Sequence, residues 1–467
     1  MTMRDQLKES TRHDYSRAVF TGTFTVWQEF LLEKESVFWS TVRLFDSLLR
    51  GFSQVVLANN PISGLLLTIS LGVSAPNTLL FSAITGFLGL LLSVLIRDSQ
   101  ENIANGLTVF NPLLVGAVSS SLIPSVYGPF DSFSILLTIL GTIFSVYLAR
   151  SLRNNKLPFI AWPFNLTEFA LLLVLYTRDN GHDTTQKLQP VMRMDNATSD
   201  ATIGDVSFIG ENATGVHIDW GMMFHGVIVS ASQVLAVESV FIGAVVYLAC
   251  LLYSPITAGF AFLGALVGSL AGIILFLCIS LEFIERLMLD VQIDEIYTGL
   301  WGYNTFLTGA SLGGNFFVLN GQTAAATIVA IVYTVIVQYA ILFFFRNLKL
   351  PILTLPFVLV TSLFLKLRSN PGDKTFPQPP PISFSRTQHR DYITSQQAQL
   401  IQQSELKIDM HYDGAIVIGT LEISISALAE ANLLLYDTEE SRMVDVILLC
   451  QRLLTKAFTD MLAFYFI

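Results

Sequence analysis

Charge is scarce in this chain, and its scarcity excludes most soluble classes of protein. Only 13% of the 467 residues are Asp, Glu, Lys or Arg, against roughly 25% in an ordinary globular domain. The cations form no basic patch, so nucleic acid is not an expected partner. Three cysteines are too few for a disulfide framework, and Cys250 and Cys278 lie in apolar runs that suit a small buried residue. No phosphate-binding Gly-rich loop ends in Lys-Ser or Lys-Thr, no His-Glu-x-x-His occurs, and no Cys/His set clusters as ligands would. The six histidines are scattered through tails and loops, apart from His225 near the start of an apolar run. Neither enzymatic chemistry nor a metal or cofactor is therefore expected. A cleaved signal peptide is also not expected, because residues 1–50 mix acids and bases without an apolar core.

What the chain does have is apolar surface. Hydrophobic residues make up 52% of it, and the mean hydropathy is +0.59. Bilayer-crossing helices need about 20 apolar residues. Such runs lie near 54–73, 78–96, 107–123, 132–149 and 157–176, and again near 222–252, 256–279, 300–319, 323–345 and 350–367. Gly264, Gly268 and Gly272 make a stripe suited to close helix packing. The net charge of −10 resides largely in the tails and in the loop after residue 176.

The two sets of runs are copies. Leu-Pro-Phe-Ile-Ala-Trp-Pro-Phe at 157–164 returns as Leu-Pro-Ile-Leu-Thr-Leu-Pro-Phe at 350–357. At the same spacing, Gly106-Leu-Thr-Val-Phe-Asn111 returns as Gly299-Leu-Trp-Gly-Tyr-Asn304, and Gly116 as Gly309. Upstream, Ser53-Gln54-Val55 matches Ser232-Gln233-Val234, and Pro76 matches Pro255. In each copy the Gly- and Asn-containing segment before the third run reads as a short tilted or re-entrant half-helix.

Five spans in each copy is an odd number, so the second copy starts from the opposite side of the membrane and the repeat is inverted. With the N-terminus inside, Arg43, Arg50, Arg97, Arg150, Arg153, Lys156, Lys366 and Arg368 all fall on the cytoplasmic side, as the positive-inside rule prefers. Arg346 and Lys349 then lie outside, because an inverted duplication carries its charged loop with it. The expected division is a cytoplasmic segment 1–50, a first repeat 51–176, an extracellular loop 177–220, a second repeat 221–369 and a cytoplasmic tail 370–467. The loop holds two glycosylation sequons, at Asn196 and Asn212; a third, at Asn165, lies within a span. A Pro-rich linker (Pro377, Pro379 to Pro381) opens the tail. The expected location is the plasma membrane, with both termini cytoplasmic.

The residues that repeat are the candidates for function: Gln54 and Gln233, Phe110 and Tyr303, Asn111 and Asn304, Leu114 and Leu307, and the two Pro-containing turns. Prolines free backbone carbonyls, which are tolerated at membrane depth where they line a cavity. Glu168 and Glu238 are the carboxylates within spans, and their counterparts are Thr361 and Asn59, so nothing in the repeat supports proton or sodium coupling. A narrow passage with apolar walls, oxygen acceptors and no fixed charge suits a small neutral solute rich in N–H donors.

These motifs resemble the urea transporters, whose signature Leu-Pro-x-x-Thr-x-Pro-Phe occurs once in each half. Residues 350–357 match it, and 157–164 match except that Ala161 stands where the family has threonine. Gln54 to Pro61 resembles the family's Gln-Val-Val-x-x-x-Asn-Pro stretch, and the likeness runs over roughly residues 40–370. It implies an all-α fold of ten helices plus two tilted half-helices, a homotrimer with one pore per subunit, and passive, channel-like urea permeation by facilitated diffusion. Carried over, it implies that Phe110, Leu114, Tyr303 and Leu307 form apolar walls above and below the flat solute. Thr354 would face the narrow centre, with Gln54 and Gln233 near the openings. Ala161 removes one central hydroxyl, and Leu57 and Ala236 are small for their places after the glutamines, so the resemblance also implies a wider, less selective mouth. Two alternatives stay open at this point: a channel for ammonia, short amides or water, and a membrane sensor or scaffold whose conductance is vestigial.

Overall fold

The computed structural model describes residues 22–34, 36–154, 160–186, 218–280, 293–346 and 350–367. Asn196, Asn212, the Leu-Pro pair at 157–158 and the tail beyond 367 lie outside the described residues. Every regular element within them is helical. A short α1 (Thr25–Leu32) precedes the first half: α2 (Val37–Gln54), α3 (Pro61–Ser74), α4 (Pro76–Leu95), α5 (Gln100–Ala104), α6 (Phe110–Val126), α7 (Ser132–Asn154) and α8 (Trp162–Gln186). The second half repeats the order: α9 (Trp220–Gln233), α10 (Val240–Tyr253), α11 (Pro255–Ser280), α12 (Ile293–Tyr297), α13 (Tyr303–Ala310), α14 (Gly321–Arg346) and α15 (Leu355–Leu365). A π-turn, Ser311–Asn315, continues α13. Four helices, α4, α7, α11 and α14, are long and apolar enough to cross a bilayer. Their outward faces carry large apolar side chains such as Ile84, Phe87, Leu140, Phe144, Ile328 and Ile336, as a lipid-facing surface requires.

Two sequence expectations fail at the start of each half. The run near 54–73 is not one helix: α2 ends at Gln54, the chain turns through 55–60, and α3 begins at Pro61. The long run 222–252 likewise divides into α9 and α10. The break is made by local polar chemistry inside an apolar stretch. Asn60 caps α3 by accepting from the Ile62 and Ser63 amides at 2.8 and 3.3 Å, and Pro61 at the first helical position has no N–H to orphan. Ser239 caps α10 through the Ile242 amide at 3.3 Å. Helices α3 and α10 span 14 residues each, about 21 Å at 1.5 Å per residue, short of a hydrocarbon core about 30 Å thick. Each is a short apolar helix that the hydropathy runs did not announce, while residues 105–109 and 298–302, expected to open a half-helix, are turns. Helix α2 also runs through the expected division at residue 50.

The halves are built alike in detail. In the first, α2 packs on α3, α4 on α6, α6 on α7, and α7 on α8; in the second the corresponding partners meet. Gly106 and Gly299 both have positive φ, +68° and +81°. A Cβ there would lie 2.4 Å from the Gly51 nitrogen or 2.5 Å from the Ser230 nitrogen, so both the turn and the close approach require glycine. The Gly264, Gly268 stripe lets α11 press onto the backbone of α13 and the turn before it, at the Thr305 and Trp301 carbonyls. Helices of equivalent position touch across the halves: α3 meets α10, and α8 meets α15. Ser63 Oγ donates to the Ala249 carbonyl at 2.8 Å, and Trp162 Nε1 to Ser362 Oγ at 3.0 Å.

Candidate functional site

Two duplicated motifs, far apart in sequence, meet in space. Helix α8 starts with Trp162 and Pro163, so the first amide left to satisfy inside the helix is that of Phe164. Asn111, the second residue of α6, accepts from it through Oδ1 at 3.2 Å and donates through Nδ2 to the Ile160 carbonyl at 3.3 Å. The second half repeats both bonds: Asn304 accepts from the Phe357 amide at 3.4 Å and donates to the Leu353 carbonyl at 3.3 Å. Each asparagine is thus a clamp on the start of a helix from another part of the chain. Both are buried, where an unmade hydrogen bond is expensive.

The clamps set the candidate residues around them. Phe110 and Leu114 lie one turn apart on α6, as do Tyr303 and Leu307 on α13, and all four are buried. Tyr303 does more than present a ring, since its hydroxyl donates to the Leu353 carbonyl, which also accepts from Asn304. Leu353 itself adopts a φ of +49°, a strained conformation for a branched residue. Ala161 and Thr354 stand immediately before α8 and α15, both buried.

One side chain joins that last pair. Asn165 Nδ2 donates to the Ala161 carbonyl at 2.8 Å and to Thr354 Oγ1 at 2.7 Å. The sequence marked Asn165 only as a sequon within a span. The signal that would have found it is its position, a buried polar residue one turn after the departing Ala161.

The glutamines form a separate set at the ends of α2 and α9. Gln54 Nε2 donates to the Asn105 carbonyl at 3.1 Å, and Gln233 Nε2 to the Thr298 carbonyl at 2.7 Å, which are equivalent positions. No hydrogen bond among the described residues connects them to Ala161 or Thr354. Leu57 and Ala236 occupy the turns that follow, each with positive φ, +62° and +54°. The same strain at the same place in both copies marks the turn's shape as required. Leu57 also reaches across the halves, its carbonyl accepting from Asn315 Nδ2 at 2.6 Å.

The carboxylates differ from one another. Glu168 is fully buried on α8 and accepts from Ser119 Oγ at 3.0 and 3.2 Å, whereas Glu238 is exposed in a turn. Arg50 is fully buried too, paired with Asp46 at 2.7 Å and donating to the Thr23 carbonyl at 2.9 Å and Asn59 Oδ1 at 3.1 Å. Their equivalents in the second half are His225 and Val229, so the ion pair belongs to the first half.

A twice-built helical core with long lipid-facing helices and buried asparagine clamps defines an integral membrane protein that moves or senses a small solute. The urea transporter family model matches residues 45–369, well over half the chain, and the chain belongs to that family. It is 27% identical to urea transporter 1 of Mus musculus over 357 residues, covering 75% of this chain and 83% of that protein. Urea transporter 1 of Rattus norvegicus is 27% identical over 361 residues, with the same shares covered. The Ovis aries urea transporter 1 is 28% identical over 357 residues.

Proposed function

We propose that this protein carries urea passively across the plasma membrane, by facilitated diffusion through a slot between two inverted halves. The observation that carries the reading is the duplicated asparagine clamp, which holds two helix starts, and with them Ala161 and Thr354, on either side of one buried centre. Urea is flat, with two amino groups and one carbonyl oxygen. Phe110, Leu114, Tyr303 and Leu307 are assigned to its faces, Thr354 to its edge at the centre, and Gln54, Leu57, Gln233 and Ala236 to the mouths. Stripping water from such a solute costs several kcal/mol, at about 2–7 per polar group, and the edge oxygens offset it. A carrier of this kind catalyses no reaction and needs no cofactor.

The inverted arrangement is supported by the contacts of α3 with α10 and of α8 with α15, since a twofold axis brings equivalent elements together. Sidedness is supported by two ion pairs. Arg153 meets Asp98 at 2.8 Å, placing the end of α7 beside the end of α4. Asp131 meets Arg178 at 2.7 Å, placing the start of α7 beside the far end of α8, next to the sequon-bearing loop. The first cluster is assigned to the cytoplasm and the second to the outside. With that goes the assignment of both termini to the cytoplasm, of sugars to Asn196 and Asn212, of a lipid-embedded homotrimer as the assembled form, and of 370–467 as a cytoplasmic tail.

The test is solute uptake by proteoliposomes containing the purified chain, without proton or sodium gradients. Rapid, saturable urea flux is expected. Flux of ammonia, a short amide or water without urea would reassign the solute, and silence for all of them would favour a sensor.

A further inference from the structure

At the centre, this chain departs from the two-threonine pattern of the family it belongs to, and the structure puts a carboxamide at the departure. Asn165 donates to both the Ala161 carbonyl and Thr354 Oγ1. A carbonyl only accepts, so the atom facing it must be the amide nitrogen, and Oδ1 occupies the other branch of the side chain. That oxygen is buried and has no hydrogen-bond partner among the described residues. The residue at the equivalent place in the second half is Val358, fully buried. The second half thus fills this position with an apolar side chain, so packing at it does not require a buried acceptor left unsatisfied.

We propose that Asn165 is a specificity-determining residue of the central constriction, whose Oδ1 accepts an N–H of the solute in place of the hydroxyl that Ala161 lacks. Its Nδ2 sets Thr354 at the same time. Because Thr354 Oγ1 accepts from Asn165, its own proton is turned to another acceptor, the carbonyl oxygen of the solute. Acceptor and donor side by side match the N–H and C=O of an amide, and they restore discrimination that the loss at Ala161 would otherwise relax. The inference rests on the urea reading.

Three full-length variants in proteoliposomes test it: Asn165→Val, Asn165→Thr, and Asn165→Val combined with Ala161→Thr. Valine is expected to lower urea permeability about tenfold, the loss of roughly one hydrogen bond at the barrier. Threonine, nearly isosteric with valine but carrying an acceptor, should keep most of the flux, and Ala161→Thr should restore it in the valine background. Equal urea flux in wild type and Asn165→Val overturns the proposal, as does a double variant no better than Asn165→Val. A valine variant that fails to purify monodisperse, while the threonine variant does, would assign Asn165 to holding α8 and α15 together and also overturn it. Absence of urea flux in the wild type itself would instead remove the urea reading, and this inference with it.

Discussion

The two halves share a hydrogen-bonded skeleton and differ in the side chains hung on it. Asn111 and Asn304 clamp helix starts with the same bonds, Gln54 and Gln233 bind equivalent carbonyls, and Gly106 and Gly299 make the same left-handed turn. Against that, Ala161 corresponds to Thr354, Asn165 to Val358, Phe110 to Tyr303, and the Asp46–Arg50 pair to His225 and Val229. The difference teaches that backbone geometry is what both copies must keep. Bonds that bend or end the chain are duplicated, whereas the side chains carried on that skeleton, those proposed to meet the solute among them, are free to diverge.

The ion pair is where this comparison breaks hardest. Asp46→Ala leaves Arg50 buried without its counter-charge, and the expected loss is about 3–5 kcal/mol, read as a lower unfolding temperature in detergent. Installing the second half's residues together, Asp46→His with Arg50→Val, removes the stranded charge and should cost less than the single change. A double variant as unstable as Asp46→Ala would mean that the halves are not interchangeable there.

Next come the clamps. Asn304 makes a third bond that Asn111 does not, from Nδ2 to Gln338 Oε1 at 3.2 Å. Asn304→Ala should cost about 3 kcal/mol and Asn111→Ala about 2, at roughly 1 kcal/mol for each bond lost, and both should depress urea flux. The reverse order in thermal melts would show that the clamps are not additive copies.

The smallest effect is expected at Asp131 and Arg178, both partly exposed. The hydrogen bonds from Arg178 and Ser134 hold the Asp131 carboxyl well below the usual carboxylate range. A depressed folded-state value contributes stability above the unfolded value near 4, and that contribution is lost as pH falls further. The difference in unfolding temperature between wild type and Asp131→Asn should be constant from pH 7 to about 5 and shrink below it. A gap unchanged down to pH 3 would remove the charge from the explanation.

Much of this was legible in the residue pattern, because lipid imposes a simple code. Helices α4, α7, α11 and α14 lie within a few residues of the apolar runs that announced them, since a bilayer demands long unbroken apolar helices. The breaks after Gln54 and Gln233 were not legible. Val55, Val56 and Leu57 are as apolar as any span, and what ends the helix is a positive φ at Leu57 and a cap from Asn60, neither of which hydropathy registers. Asn165 escaped for a related reason: its role depends on Thr354, 189 positions away.

The sequence by itself determined that this is a duplicated, apolar, helical membrane protein, because duplication and hydropathy are written along the chain, and its repeated Pro-Phe motifs carried the resemblance to the urea transporter family. Only the tertiary structure decided that the first apolar run of each half is broken into two helices, that Asn111 and Asn304 hold the starts of α8 and α15, and that Asn165 stands between the Ala161 carbonyl and Thr354. Those are decided by hydrogen bonds between residues remote in sequence, whose partners are specified by where the chain returns and not by the residues beside them.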